Sequence, residues 1–190
     1  MTKLEAALVE LVAFLEDGRI PYMVIGGFAN LFWGNARFTR DLDITIEVSD
    51  EALGDLVGRL AGQFDIADPD PLAFARRNHL IRIQTRSAVP VDLIVAALPY
   101  ESTAIRRAVE TDVAGTSVRL CAPEDLVIHK LASERPQDAV DVEGIILRQA
   151  RRLDREYLGA RVQELAAGLE RPEITSFYRS LLKKADSIPG

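Results

Sequence analysis

The stretch TRDLDIT, residues 39–45, decides how the rest of this chain is read. Asp41 and Asp43 alternate with Leu42 and Ile44, and Ile46 and Val48 continue the apolar series. The segment from about residue 41 to 48 therefore reads as a half-buried strand with both acids on its other face. Asp is a poor strand former, so two on one strand cost stability unless a ligand compensates. Two readings stay open at this point: acids facing water on an antiparallel strand, or a cation site.

Upstream, YMVIGG at 22–27 is a short buried strand ending in Gly26 and Gly27, and FANLFWGN continues as a brief helix. Glycines between a strand and a helix let a phosphate approach the backbone, and the helix N-terminus offers N–H donors for its charge. Tight turns use a glycine pair as often. Arg37, Thr39 and Arg40, just before the acids, are candidates for contacting a triphosphate; loop arginines are otherwise solvated. Phe28, Phe32 and Trp33 read as packing residues.

Downstream, Ser49 and Asp50 open a helix carrying Leu53, Leu56, Val57 and Leu60 at helical spacing. DIADPDPLAFARRN at 65–78 is rich in Pro and Asp and reads as a loop with about one helical turn. HLIRIQT and VPVDLIVA read as two strands of a hairpin. A helix at YESTAIRRAVE and a small hairpin turning near Gly115 follow. From Pro123 the chain reads as helical to its end, with breaks near Pro136, Asp154 and Pro172. The opening segment is an amphipathic helix with Leu4, Leu8, Leu11, Val12 and Leu15 on one stripe and Gly18 as its stop.

Asp92 interrupts the apolar run VPVDLIVA. It is either a third carboxylate on a strand adjoining the acidic one, or a strand-end Asp bonded to a nearby N–H. Same-face neighbours on a strand stand about 6 to 7 Å apart, close enough for two carboxylates to reach cations between them. Three clustered carboxylates repel unless neutralised, and oxygen-only donors select Mg²⁺ or Mn²⁺ over zinc. Two such ions about 3.5 to 4 Å apart stabilise the attacking and leaving oxygens of phosphoryl or nucleotidyl transfer. Lys130, on a helix, is a candidate to neutralise phosphate charge or a snorkelling surface lysine. Arg135 and Asp138 read as a surface ion pair, Asp141 follows three residues later, and His129 is structural or exposed.

The chain of 190 residues, 48% hydrophobic, is long enough for one good core or for a main domain with a helical appendage. The division expected is a core over 1–120 and a helical region over 121–190, packed on the core. The single Cys121 excludes an internal disulfide framework, and no His/Cys cluster resembles a zinc site. Glu5, Glu10 and Glu16 punctuate the N-terminal helix, so the opening lacks a basic start leading into an uninterrupted apolar run, and no run approaches the roughly 20 apolar residues of a membrane span. A soluble cytoplasmic protein is expected. A formal charge of -6 argues against gripping nucleic acid with the whole surface. From Arg148 onward, however, nine Lys/Arg stand against six Asp/Glu, so a local basic surface on the last helices is open.

The order GG at 26–27, RFTRDLDI at 37–44, VDLIVA at 91–96 and PEDLVIHKLASERPQDAVDV at 123–142 resembles the polymerase-beta-like nucleotidyltransferase superfamily. It looks most like its minimal members, including AbiEii-type and MenT-type toxins of toxin–antitoxin systems. The resemblance covers roughly residues 20 to 145. It implies an α+β fold, a mixed sheet flanked by helices, with a helical C-terminal part, and a metal-dependent enzyme moving an NMP from an NTP to an acceptor hydroxyl. Asp41, Asp43 and Asp92 would hold Mg²⁺ or Mn²⁺, with Asp92 helping to remove the acceptor proton. Gly26, Gly27, Arg37, Thr39 and Lys130 would meet the triphosphate, and Asp141 would organise the helix locally. The Gly-Gly start departs from the superfamily's usual Gly-Ser, which removes a serine contact and leaves the metal ligands. The implied acceptor is RNA such as a tRNA 3′ end, and the implied partner is an antitoxin protein; Arg148, Arg151, Arg152 and Arg155 are either a track for its phosphates or the solvated face of a helix. An antibiotic-modifying enzyme of the aminoglycoside or lincosamide kind, and a nucleotide-binding module without turnover, are the alternatives.

Overall fold

The computed structural model describes residues 1–188. The chain forms two compact units: Met1–Phe28 with Phe38–Cys121, and Ala29–Arg37 with the chain from Ala122 onward. The second unit is thus discontinuous, where the sequence suggested an uninterrupted region after residue 120. Its extra piece is the end of one helix and the loop after it.

The first unit is built on a mixed sheet whose strands, among the described residues, run in the order β3–β4–β5–β2–β1–β7–β6. These are β1 Tyr22–Val24, β2 Leu42–Ile46, β3 Asp65–Ile66, β4 Leu80–Gln84, β5 Pro90–Val95, β6 Val109–Val113 and β7 Thr116–Leu120. β4 with β5 and β6 with β7 are the two antiparallel hairpins that the alternation predicts. β2 runs antiparallel to β1 but parallel to β5, and β1 runs parallel to β7. Leu42, Ile44, Ile46, Ile81, Ile83, Val91 and Leu93 are buried, which fixes the register, because a slip of one residue would turn this whole apolar set to the other face.

Helices α1 Lys3–Asp17, α3 Asp50–Ala61, α4 Pro71–Asn78 and α5 Pro99–Arg107 contact strands of the sheet. Helix α1 starts on a capping box: Glu5 N donates to Thr2 Oγ1 at 3.1 Å and Thr2 N donates to Glu5 Oε2 at 2.7 Å. Ser49 caps α3 through Ala52 N at 3.4 Å. The Pro- and Asp-rich stretch holds more order than one turn. Asp70 caps Ala73 N at 3.1 Å, Pro71 occupies the start of α4, and the helix runs for eight residues.

In the second unit, α6 Pro123–Ala132, α7 Pro136–Gln149, α8 Arg155–Gly168 and α9 Glu173–Asp186 pack α6 on α7 and α8, and α9 on α7 and α8. Pro123 and Pro136 open α6 and α7, where a missing N–H costs nothing. Helix α2, Gly26–Trp33, starts in the first unit and ends in the second. No described helix is long and apolar enough to cross a membrane.

Candidate active site

The sheet of the first unit places the strand acids. In the parallel pairing of β2 with β5, Asp43 is the register partner of Asp92, so both side chains leave the same face on neighbouring strands. Both are half-buried, between the buried neighbours Leu42 and Ile44 and the buried neighbours Val91 and Leu93. Asp41 lies just ahead of β2, and its Oδ1 accepts from Thr39 Oγ1 at 2.9 Å. Burial first, and then the negative charge of Asp41, pushes the Asp92 carboxyl above the ordinary carboxylate range, against the opposing pull of Arg82.

Gly26 shapes the other side of this acidic face. It stands at the strand-to-helix turn with φ +65°, and a Cβ added there would lie 1.8 Å from Asp43 Oδ2 and 2.9 Å from Asp43 Cβ. The Asp43 carboxylate therefore lies against the glycine backbone at the first residue of α2, and no side chain fits between. Ile25 N donates to Asp43 O at 2.9 Å and ties the turn to β2. Gly27 is buried beside it.

The antiparallel pairing of β4 with β5 adds Arg82 as the other register neighbour of Asp92. Its guanidinium pairs with Asp68, with Nε at 3.2 Å from Oδ2, and its Cζ lies 4.7 Å over the Phe74 ring. Asp43, Asp92 and Arg82 thus form one row across β2, β5 and β4. Sequence reasoning missed Arg82. The alternation of Ile81, Arg82 and Ile83 marks it as solvent-facing, but only the strand register shows that it flanks Asp92.

Lys130 and Asp141 belong to a different constellation, in the second unit. Lys130 Nζ lies 3.0 Å from Asp138 Oδ1 and 2.6 Å from Asp141 Oδ2, with side-chain exposures of 4%, 1% and 3%. Lys130 is therefore no snorkelling lysine: its charge is spent on two buried carboxylates. Arg37 joins them, with Nε 3.1 Å from both Asp141 oxygens and Nη2 3.0 Å from Oδ2. Gln137 Nε2 and Asn30 Nδ2 also donate to Asp141 Oδ1, at 3.1 and 3.4 Å. Burial alone would raise the carboxyls of Asp138 and Asp141, but donors from Arg135, Ser133 and Lys130 to the first, and from Arg37, Lys130 and Gln137 to the second, hold both below the usual range. The Arg135–Asp138 contact at 2.7 Å is not a surface pair, because Asp138 is buried even though Arg135 is exposed.

The donor chemistry on the first unit fits a hard divalent ion: carboxylate oxygens, with no thiolate or imidazole among them. The glycine clearance leaves a carboxylate oxygen pressed to the start of a helix. Among the described residues, no group of three or more His, Cys, Asp or Glu is gathered closely enough to hold an ion.

Residues 2–180 match the family described as nucleotidyltransferase of unknown function (DUF6036). No curated protein matches the sequence. Among solved structures, an antigenic nucleotidyltransferase-like protein from Paracoccidioides brasiliensis is 18% identical, with a TM-score of 0.54, over 93% of this chain and 92% of that one. The antibiotic-resistance factor ANT(2'')-Ia is 17% identical, with a TM-score of 0.57, over 90% of this chain and 96% of that one. The lincosamide antibiotic adenylyltransferase LnuA, lincomycin-bound, is 14% identical, with a TM-score of 0.53, over 76% of this chain and 96% of that one. At these identities the likeness is one of fold.

Proposed function

The chain belongs to the nucleotidyltransferase family that its residues 2–180 match, and from that premise we propose that it moves an NMP from an NTP to an acceptor hydroxyl at the Asp43–Asp92 face. The observation that carries this reading is the register of β2 against β5, which sets two carboxylates side by side beneath a glycine turn at a helix N-terminus. Asp43 and Asp92, joined by Asp41, would hold Mg²⁺ or Mn²⁺. When bound, such an ion supplies charge neutralisation at the phosphoryl oxygens.

The chain's own residues do the positioning. Gly26 and Gly27 admit the phosphates to the backbone, where the first N–H groups of α2 have no partner within the helix. Asp92, register partner of Asp43 on the neighbouring strand, would be the group to take the proton of the acceptor hydroxyl. Arg82, held by Asp68 and stacked on Phe74, sets a positive charge beside Asp92 from the neighbouring strand. Arg37, Lys130 and Asp141 form one polar cluster within the helical unit, where Asp141 accepts from both cations.

The acceptor has two readings. The resemblance to toxin nucleotidyltransferases supports an RNA end, such as a tRNA 3′ end, with a cognate antitoxin as partner. A small amine-bearing molecule is the second, because the face beside Asp92 is a cavity of about 290 Å³ bearing Asp65, Asp92 and Gln84, with Arg82 already matched to Asp68. ANT(2'')-Ia, seen with adenylyl-2''-tobramycin, and lincomycin-bound LnuA support that second reading by shared fold. Incubation with labelled NTPs, Mg²⁺ or Mn²⁺, and either total tRNA or an aminoglycoside separates them by which product carries label. Absence of label and of pyrophosphate release with every acceptor would leave a nucleotide-binding module.

A further inference from the structure

A second cavity lies wholly within the helical unit. It measures about 620 Å³ and is lined by Phe32 and Trp33 at the end of α2, by Arg148, Arg151, Arg152 and Arg155 around the α7–α8 turn, and by Asp186 at the end of α9. Two of the four arginines have structural work. Arg148 donates to Gly34 O, and Arg155 donates to Ala150 O at 3.2 Å and to Asp186 at 2.8 Å. Both answer the carbonyls left over where helices end, as cations at helix C-termini do.

Arg151 and Arg152 are not accounted for in that way. Their side chains are exposed and make no hydrogen bond or ion pair with the described residues, and Asp186 is the one acidic residue lining the cavity. Two unspent guanidinium groups, each a fork of donors matched to phosphate oxygens, share the cavity with two half-exposed aromatic rings. A helix end needing only its carbonyls satisfied uses the first pair of arginines and leaves the second pair unexplained.

We propose that this cavity binds a nucleotide, its phosphate held by Arg151 and Arg152 and its base stacked on the Phe32–Trp33 wall. Charge and flat aromatic surface together are the combination that single-stranded nucleic acid uses. The same chemistry is offered by a free nucleotide or by one nucleotide within an RNA strand. In the latter case the site deepens the RNA reading above and would hold the acceptor strand; the binding itself does not require that reading to be right.

Trp33 is the only tryptophan of the chain, so its fluorescence reports on this cavity alone. The intact protein, kept with a chelator so that no transfer occurs, is titrated with AMP and with a 5′-phosphorylated RNA of about eight nucleotides, within the site sizes such surfaces cover. The expected result is a saturable change in Trp33 emission with at least one of them. Tighter binding of the oligonucleotide assigns the site to a strand, and equal binding assigns it to the free nucleotide.

The double variant Arg151→Glu/Arg152→Glu is expected to weaken binding about tenfold or more. It should also flatten the slope of log K against log salt by about 1.4, two single-strand phosphate contacts. Asp43→Asn, on the other unit, should leave Trp33 titrations unchanged, which separates failure of this site from failure of the catalytic reading. No saturable change with either ligand, or full affinity in the folded double variant, overturns the proposal.

Discussion

Gly26 and Asp43 occupy each other's space: a methyl group on the first would sit 1.8 Å from a carboxylate oxygen of the second. Gly26→Ala is therefore expected to fail twice, by strain at φ +65° and by displacing Asp43. It should lower the unfolding midpoint and abolish transfer. Gly58→Ala, in exposed mid-α3 with nothing within 4 Å of the new methyl, should instead add about 0.5–1 kcal/mol. Chemical denaturation of both variants checks the pair, and a fully active Gly26→Ala enzyme would contradict the close approach.

Asp43→Asn keeps shape and removes charge. Pyrophosphate release should fall by about 100- to 1,000-fold, the scale of losing one preorganised electrostatic group, with the melting temperature retained. Wild-type turnover in this variant would reject the proposed site.

Asp92→Asn separates stability from catalysis. Burial and Asp41 raise the Asp92 carboxyl, so its charged form is disfavoured by folding. The stability that this group contributes is complete below the unfolded carboxylate value and is lost as pH rises through the higher folded value. At neutral pH the Asn variant should melt above the wild type while losing activity, and the difference should shrink on acidification. Thermal unfolding across the mildly acidic range measures it, and an Asn variant less stable at neutral pH would contradict the sign.

Asp141 works in the opposite direction. Its carboxyl is held low despite burial, so its stabilisation is present above the ordinary carboxylate value and is lost as pH falls through the depressed one. Asp141→Asn leaves Lys130 and Arg37 without their shared anion and should cost about 3 kcal/mol at neutral pH. Urea titrations of both proteins should converge in acid. A gap that stays constant with pH would show that something other than charge is lost.

What the sequence discloses follows from how local each signal is. Leu42, Ile44 and Ile46 announce their strand by alternation, and the two hairpins by turns between alternating runs, because those patterns sit within a few residues. Pairing Asp43 with Asp92 depends on a parallel register between strands separated by about fifty residues, which no local period encodes. Arg82 escaped notice for the same reason. Asp70-Pro71 was legible in principle, since an N-cap followed by Pro is a start signal, yet among neighbouring Asp and Pro it reads as loop. Lys130 carried no mark of burial in a sequence where most lysines face water; its two carboxylate partners come from the next helix.

The helical unit draws residues 29–37 from early in the chain and everything else from Ala122 onward. On the ribosome, those early residues emerge more than 80 positions before the segment that completes their surroundings, while the intervening chain can already form the sheet. No single nick can therefore release the helical unit whole, and a fragment ending at Cys121 carries residues 29–37 without their partners.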